Sequence, residues 1–306
     1  MDGILNVAKP GGMTSFRIVA AVRRLSGEKR VGHAGTLDPM ARGVLPVCIG
    51  KATRFIEFFA GFTKRYLAEV EFGVETDTYD ITGQVLRRAD PSGIDLKTLE
   101  AALSAFRGII QQTPPMYSAL KCKGEPLYKL ARAGVSVERK PRSASIESLE
   151  LTEWNPPVAM LDIVCGKGTY IRSISHDLGK ALGCGAAMRS LVRTRYGPFE
   201  LDNAVSLEKL ATKFTEDRWG RELFPPDFVL TDLPRAVLDE DAERQMKTGR
   251  SLDAAAIGKI PANEALLEAS AVSLCRAYAL DGRFIGMLRF NAGIGDWKPE
   301  KVLLNS

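Results

Sequence analysis

This chain is poor in the residues that hold metals and cross-links: 306 residues contain two histidines and five cysteines. Cys48, Cys122, Cys165, Cys184 and Cys275 are odd in number, scattered, and form no Cys-x-x-Cys pair. That excludes a disulfide framework and a structural zinc site, and leaves small buried apolar residues in a reducing compartment as the default. His33 and His176 have no second ligand at metal spacing. A zinc-dependent base deaminase would need His-x-Glu with Pro-Cys-x-x-Cys, and both are missing. Gly166-Lys167-Gly168-Thr169 lacks the upstream glycine of a Walker loop. No apolar run approaches membrane-spanning length, and Met1 to Val7 show no basic stretch ahead of an apolar one. The expectations are no metal, no cofactor, no membrane and a cytoplasmic location.

What is present is ordinary in amount and uneven in distribution. Apolar residues make up 45% and charged residues 26%, enough for a sizeable core divided between two unequal domains. The net charge is only +5, but residues 1–66 hold 11 Lys/Arg against 4 Asp/Glu. Residues 116–146 hold 7 against 2, and residues 167–195 hold 6 against 1. Residues 196–306 are net acidic, 14 against 18. Three basic blocks are either gathered by the fold on one polyanion-binding face or are three unrelated solvated surfaces.

The most informative stretch is Arg30 to Pro46, RVGHAGTLDPMARGVLP. Its Gly and Pro content argues against a helix or a central strand and for a shaped loop entering an apolar segment. Pro39 pushes Asp38 out of the helical region. Asp38 is the only carboxylate between Lys29 and Arg54. Such a residue is either a turn-former or a nucleophile kept ionised by surrounding cations. Over GHAGTLDPMARGVLPVCIGKATR the chain resembles the bacterial tRNA pseudouridine-55 synthases, the TruB family, whose Asp in this motif is catalytic.

Taken in order, Ile4 to Val7 reads as a short strand, and Thr14 or Ser15 caps a helix with Phe16, Val19, Ala20 and Leu25 at apolar spacing. A helical segment is expected around Phe55 to Ala60. Lys64 to Phe72 alternates, placing Tyr66, Ala68, Val70 and Phe72 on an inner face. KRYLAEVEFGVETDTYDITG resembles the family's strand and turn that carry an active-site Tyr. Asp95 to Arg107 and Leu127 to Ala133 read as helices stopped by Gly108 and Gly134, and Gln112 to Lys121 is a further family-like block. Ser145 to Glu153 reads as an edge strand and Val158 to Cys165 as a core strand. KGTYIRS, residues 167–173, matches the family motif whose Arg pairs with the catalytic Asp, and the block runs on through Leu191 to Phe199. Pro225, Pro226 and Pro234 mark a composition shift. Beyond it come a helix, Asp239 to Lys247, and a hairpin, Ser273 to Leu280 and Arg283 to Phe290 around Asp281-Gly282.

The resemblance covers residues 2 to about 200. It implies an α+β pseudouridine synthase core, 1–232, on a mixed, largely antiparallel sheet with a central cleft. The last segment, 233–306, resembles in pattern and position a PUA domain, a small β-barrel that binds RNA. The implied reaction isomerises uridine to pseudouridine at position 55 in the T loop of tRNA, with no cofactor. Asp38 is then the catalytic residue, Arg172 holds it ionised, and Tyr66 stacks on the uracil and takes part in removing the C5 proton. Tyr170 and Leu191 line the pocket, His33 inserts into the tRNA loop, and Lys9 supports the active-site loop or contacts RNA. The partner is the T arm of tRNA, met by a monomer. Three other readings compete: a guide-RNA-dependent synthase subunit, which would carry long basic extensions; a non-catalytic tRNA-binding or RNA-folding protein, in which Asp38 would be dispensable; and an unrelated basic enzyme.

Overall fold

The computed structural model describes residues 1–215, 219–253 and 274–303. The chain divides into two compact units. The larger comprises Leu5–Val47 and Phe59–Glu222, the smaller Met1–Ile4, Cys48–Phe58 and Leu223–Ser306.

In chain order the first half runs β1 (Gly3–Lys9), α1 (Ser15–Ser26), β2 (Val31–His33), β3 (Arg42–Ile49), a 3-10 segment Gly50–Gly61, and β4 (Lys64–Phe72). A small hairpin follows, β5 (Val74–Thr76) and β6 (Val85–Arg88), then α2 (Leu96–Ser104) and β7 (Gly108–Gln112). The short pair β8 (Lys121–Cys122) and β9 (Glu125–Pro126) leads into α3 (Leu127–Arg132). Next come β10 (Arg142–Asn155), β11 (Val158–Cys165), α4 (Ile171–Ala181), β12 (Ala186–Tyr196), β13 (Phe199–Glu200) and α5 (Leu207–Thr215).

One mixed sheet organises this unit, in the order β1-β3-β12-β4-β11-β10-β7. The pairs from β12 to β7 are antiparallel, while β12 and β3 are parallel. β4 follows its alternating sequence: Tyr66, Ala68, Val70 and Phe72 are buried. Their face is covered by Leu99 and Leu103 of α2 and by Ile171, Ile174 and Leu178 of α4. Because α4 is pinned by these apolar residues, every other side chain on its first turn has a fixed direction. The result is the expected α+β core.

Three local expectations need correction. Phe16 does not face the core; it is 67% exposed, and α1 buries Ser15, Ile18, Val19 and Val22 instead. The cap is Thr14, whose side chain accepts from the Arg17 amide, and this sets the helix phase one step away from that reading. The stretch after Arg42 is an interior strand despite Gly43 and Pro46. Gly43 sits at φ +105, and a Cβ there would stand 2.2 Å from the Arg193 carbonyl oxygen, so the glycine is what lets β3 and β12 approach. The run Ser145 to Glu153 is at the sheet edge only beyond Ile146, because β7 pairs with β10 from Arg142 to Ile146.

The smaller unit carries β14 (Leu223–Phe224), β15 (Arg235–Leu238), α6 (Glu240–Lys247), β16 (Leu252–Asp253), β17 (Leu274–Ala279), β18 (Phe284–Asn291) and β19 (Asp296–Val302). Its five-stranded sheet runs β15-β17-β18-β19-β16, a half-barrel of the PUA-like kind expected. The hairpin β17–β18 turns at Asp281-Gly282; Ser273, where it was expected to start, lies outside the described residues. Residues 48–58 belong to this unit. Phe55 is fully buried with its ring 5.7 Å from Phe284, and Glu57 pairs with Lys301 at 2.5 Å. Cys48, Cys165, Cys184 and Cys275 are buried as expected of small apolar residues, whereas Cys122 is half-buried. Among the described helices none is long and apolar enough to cross a membrane.

Candidate active site

Asp38 sits where the loop between β2 and β3 is clamped from two sides. Ser15 Oγ accepts from the Leu37 amide at 2.9 Å and donates to the Leu37 carbonyl at 3.1 Å. On the other side the Gly12 amide donates to the Pro39 carbonyl at 2.8 Å. Lys9 is buried beneath, its Nζ donating to the carbonyls of Pro39 at 3.2 Å and Ala41 at 2.6 Å. Of its two expected uses, supporting the loop is the one this geometry serves. Burial lowers the Lys9 pKa to about 8, Asp38 pulling it up and Arg193 down.

Arg172 comes from the first turn of α4. That turn is held by Gln112, whose side chain accepts from the Tyr170 amide at 2.7 Å and donates to the Tyr170 carbonyl at 3.0 Å. The Arg172 guanidinium lies side-on to Asp38: Nη2 donates to Oδ1 at 3.0 Å and Nε stands 2.8 Å from Oδ2. Its remaining donors go to the carbonyls of Thr78 at 3.1 Å and Tyr117 at 2.9 Å, with Asp80 Oδ2 at 3.6 Å. The Arg172 side chain is only 4% exposed, whereas that of Asp38 keeps 34%. Burial pushes the Asp38 pKa above the ordinary carboxylate value. Arg172 pulls it back, Asp80 pushes it further up, and Lys9 pulls it down.

Two residues of this site were not singled out from the sequence. Asp80 is buried, and its Oδ1 accepts from Thr78 Oγ1 at 2.9 Å, the Thr82 amide at 3.0 Å and Thr82 Oγ1 at 2.5 Å. The signal was available: three threonines and a second Asp crowd the turn TDTYDIT, a composition suited to shielding one carboxylate. Arg193 is fully buried in β12, donating to the carbonyls of Val44 at 2.7 Å and Gly35 at 2.9 Å. Lys9, Lys64 and Arg172 are buried as well, so four cations of the basic blocks are interior, while Arg17, Arg23, Arg24, Lys121 and Lys167 are among those exposed.

Tyr66 lies in β4 directly across from Arg193 of β12 and Ile163 of β11. Burial raises the pKa of its hydroxyl, and the Arg193 guanidinium opposes this. Leu191, across from Ala68, shares the apolar cluster of Leu37, Ala41 and Tyr66. His33 is half-buried; burial first and Arg193 second lower its pKa, which keeps the imidazole neutral at pH 7. Its Nδ1 has no hydrogen-bond partner among the described residues. Tyr170 is half-buried as the N-cap of α4. The fold thus joins Asp38, Arg172 and Asp80 by direct contact, sets Lys9 under the loop that carries Asp38, and places Tyr66 across from Arg193. No contact ties His33 or the Tyr170 ring to Asp38. Among the described residues no three His, Cys, Asp or Glu side chains are grouped as a metal site would require.

A half-buried carboxylate in a cationic grip, beside an apolar wall, can act on an electrophilic carbon or take a proton. Comparison with known proteins narrows this. Residues 23–171 match the N-terminal domain of the TruB family pseudouridylate synthases, and residues 172–238 match the tRNA pseudouridylate synthase B C-terminal domain. The chain is 43% identical over 305 residues to tRNA pseudouridine synthase B of Dehalococcoides mccartyi strain 195, covering 100% of this chain and 97% of that protein. It is 49% identical over 253 residues to the protein of the same name from Symbiobacterium thermophilum, covering 81% and 82%. In fold it is similar to a chain in an H/ACA ribonucleoprotein bound to a substrate RNA containing 2′-deoxyuridine, at a TM-score of 0.73 and 23% identity over 99% of this chain and 85% of that one.

Proposed function

The chain belongs to the TruB family of pseudouridylate synthases, isomerising uridine to pseudouridine in tRNA, and we propose that its target is uridine 55 of the T loop. The observation that carries the reading is the Asp38 carboxylate, gripped by buried Arg172 yet open over a third of its surface. A uridine inside a folded loop must be flipped out at a cost of a few kcal/mol. Basic groups on the backbone and an aromatic against the base offset that cost. Ionised Asp38 then starts the reaction at the base, at C1′ or at the ribose. Arg172 keeps it ionised and aimed, and Lys9 holds the loop that presents it. Tyr66 stacks on the uracil and takes part in removing the C5 proton once C5 has joined the sugar. Leu191 and Tyr170 line the pocket, and His33, neutral, enters the T loop.

Residues 1–232 act as the catalytic domain and the PUA-like segment 233–306 as an RNA-binding one. The enzyme works in the cytoplasm as a monomer on the T arm and needs no cofactor. The test is to map pseudouridine after treating unmodified tRNA with the protein. Modification at position 55 alone is expected, and modification elsewhere, or none, would overturn the assignment.

A further inference from the structure

Arg193 is a cation without an anion. It is fully buried, and among the described residues no carboxylate pairs with it; its partners are two carbonyls and the Tyr196 ring at 5.0 Å. An isolated buried charge is costly, and an apolar side chain of similar volume would remove that cost. The cost also falls on neighbours. Burial lowers Lys64 to about 8 with Arg193 adding to it, and Lys9 and His33 are pushed the same way. A charge kept under such conditions points to a use for it.

The register shows where the use lies. Arg193 stands directly across from Tyr66 in the β4–β12 pair. A guanidinium has five donors and no acceptor, so the Tyr66 oxygen can only accept from it. We propose that Arg193 is the positioning residue of Tyr66: from directly across the strand pair it holds the phenolic oxygen against the bound uracil and shares the negative charge that builds on that oxygen during proton removal from C5.

This rests on the reading of Tyr66 given above. In that step the C5–H bond breaks and its electron pair forms C5=C6. The C6=N1 pair moves to N1, which takes a proton from water. The phenol first gives its own proton to water, and the resulting phenolate oxygen then takes the C5 proton. Arg193 forms no covalent bond and remains charged throughout.

A double-mutant cycle tests it, using Arg193→Gln, Tyr66→Phe and the pair in the full chain, with tritium release from C5-labelled tRNA followed at limiting enzyme over a range of tRNA concentrations. Arg193→Gln is expected to slow turnover by about tenfold or more, with KM within about threefold of the parent. In the Tyr66→Phe background it should cost less than about twofold, because the hydroxyl it serves is gone. Equal costs in both backgrounds would overturn the proposal and leave Arg193 as a strut for the Gly35 and Val44 carbonyls. Parental turnover in Tyr66→Phe would overturn it too. If Arg193→Gln melts below the assay temperature, Arg193→Lys replaces it under the same criterion, since an ammonium keeps the charge without the fork. Asp38→Asn is assayed alongside. An active Asp38→Asn defeats the functional reading itself, whereas an inactive one with an additive cycle defeats only the role of Arg193.

Discussion

Arg172 reaches Asp38 across 134 residues of sequence and brings two nitrogens within 3.0 Å of its two oxygens. The two partners are unequally placed. The cation is locked in a buried helix turn by the Thr78 and Tyr117 carbonyls, while the anion keeps an open edge. One member is a frame and the other is free to react, which is the division expected of a preorganised site.

Asp38→Asn should abolish pseudouridine formation and leave tRNA affinity largely intact, because it removes charge at constant size. Stability should not fall. The folded state raises the Asp38 pKa, so stability is present in full at low pH and is lost as pH rises through the folded value. At neutral pH the parent therefore bears that cost and the amide does not. Tritium release, a filter-binding assay and a thermal melt check the three parts; activity within tenfold of the parent would sink the assignment.

The acid limb of the turnover–pH profile should lie above 3.8, the ordinary carboxylate value, since Asp38 must be ionised to act and its pKa is raised. Arg172→Lys should move the limb further up, a single ammonium holding the carboxylate less well than the fork. Single-turnover rates from acid to neutral pH decide this. A limb unmoved by the substitution would mean that another group sets it.

Asp80→Asn should shift the same limb the opposite way. Asp80 is one of the groups raising the Asp38 pKa, so removing its charge favours ionised Asp38. The rate on the plateau should nevertheless fall by about tenfold, because Arg172 loses a buried partner and the grip on Asp38 loosens. A limb moving upward would show that looser positioning outweighs the lost charge.

Much of this was legible in the sequence, for physical reasons. β4 was readable because a half-buried strand imposes period two on its residues, and Tyr66 to Phe72 keep it. Asp38 stood out as a lone carboxylate among cations, and its link to Arg172 came from motif resemblance, since no local pattern pairs residues so far apart. Other features depend on tertiary contacts that leave no periodic trace. β3 accommodates Gly43 only because β12 presses against it. The phase of α1 follows its cap, which two adjacent candidates obscured. Arg193 and Arg195 alternate in LVRTRY, and only the register shift between them against β4 tells the buried one from its half-buried neighbour.

Removing residues 233–306 should weaken tRNA binding while leaving most of the rate at saturating substrate, as happens when binding is lost equally from ground and transition states. The segment holds 10 Lys/Arg against 10 Asp/Glu and so carries no net positive charge, and its RNA contacts should be few. The cut is not thermodynamically neutral, however. It uncovers Phe55, fully buried against Phe284, and strips Arg54 of the Val302 carbonyl and Glu57 of Lys301. The exposed ion pair is worth little. Re-exposing part of a Phe ring costs about 2 kcal/mol, or on the order of 5 °C in Tm for a core of this size. Phe55→Ser in the truncated chain should recover its solubility without touching Asp38, Tyr66 or Arg172. A truncation that folds and binds tRNA like the full chain, yet cannot turn over, would place part of the chemistry beyond residue 232.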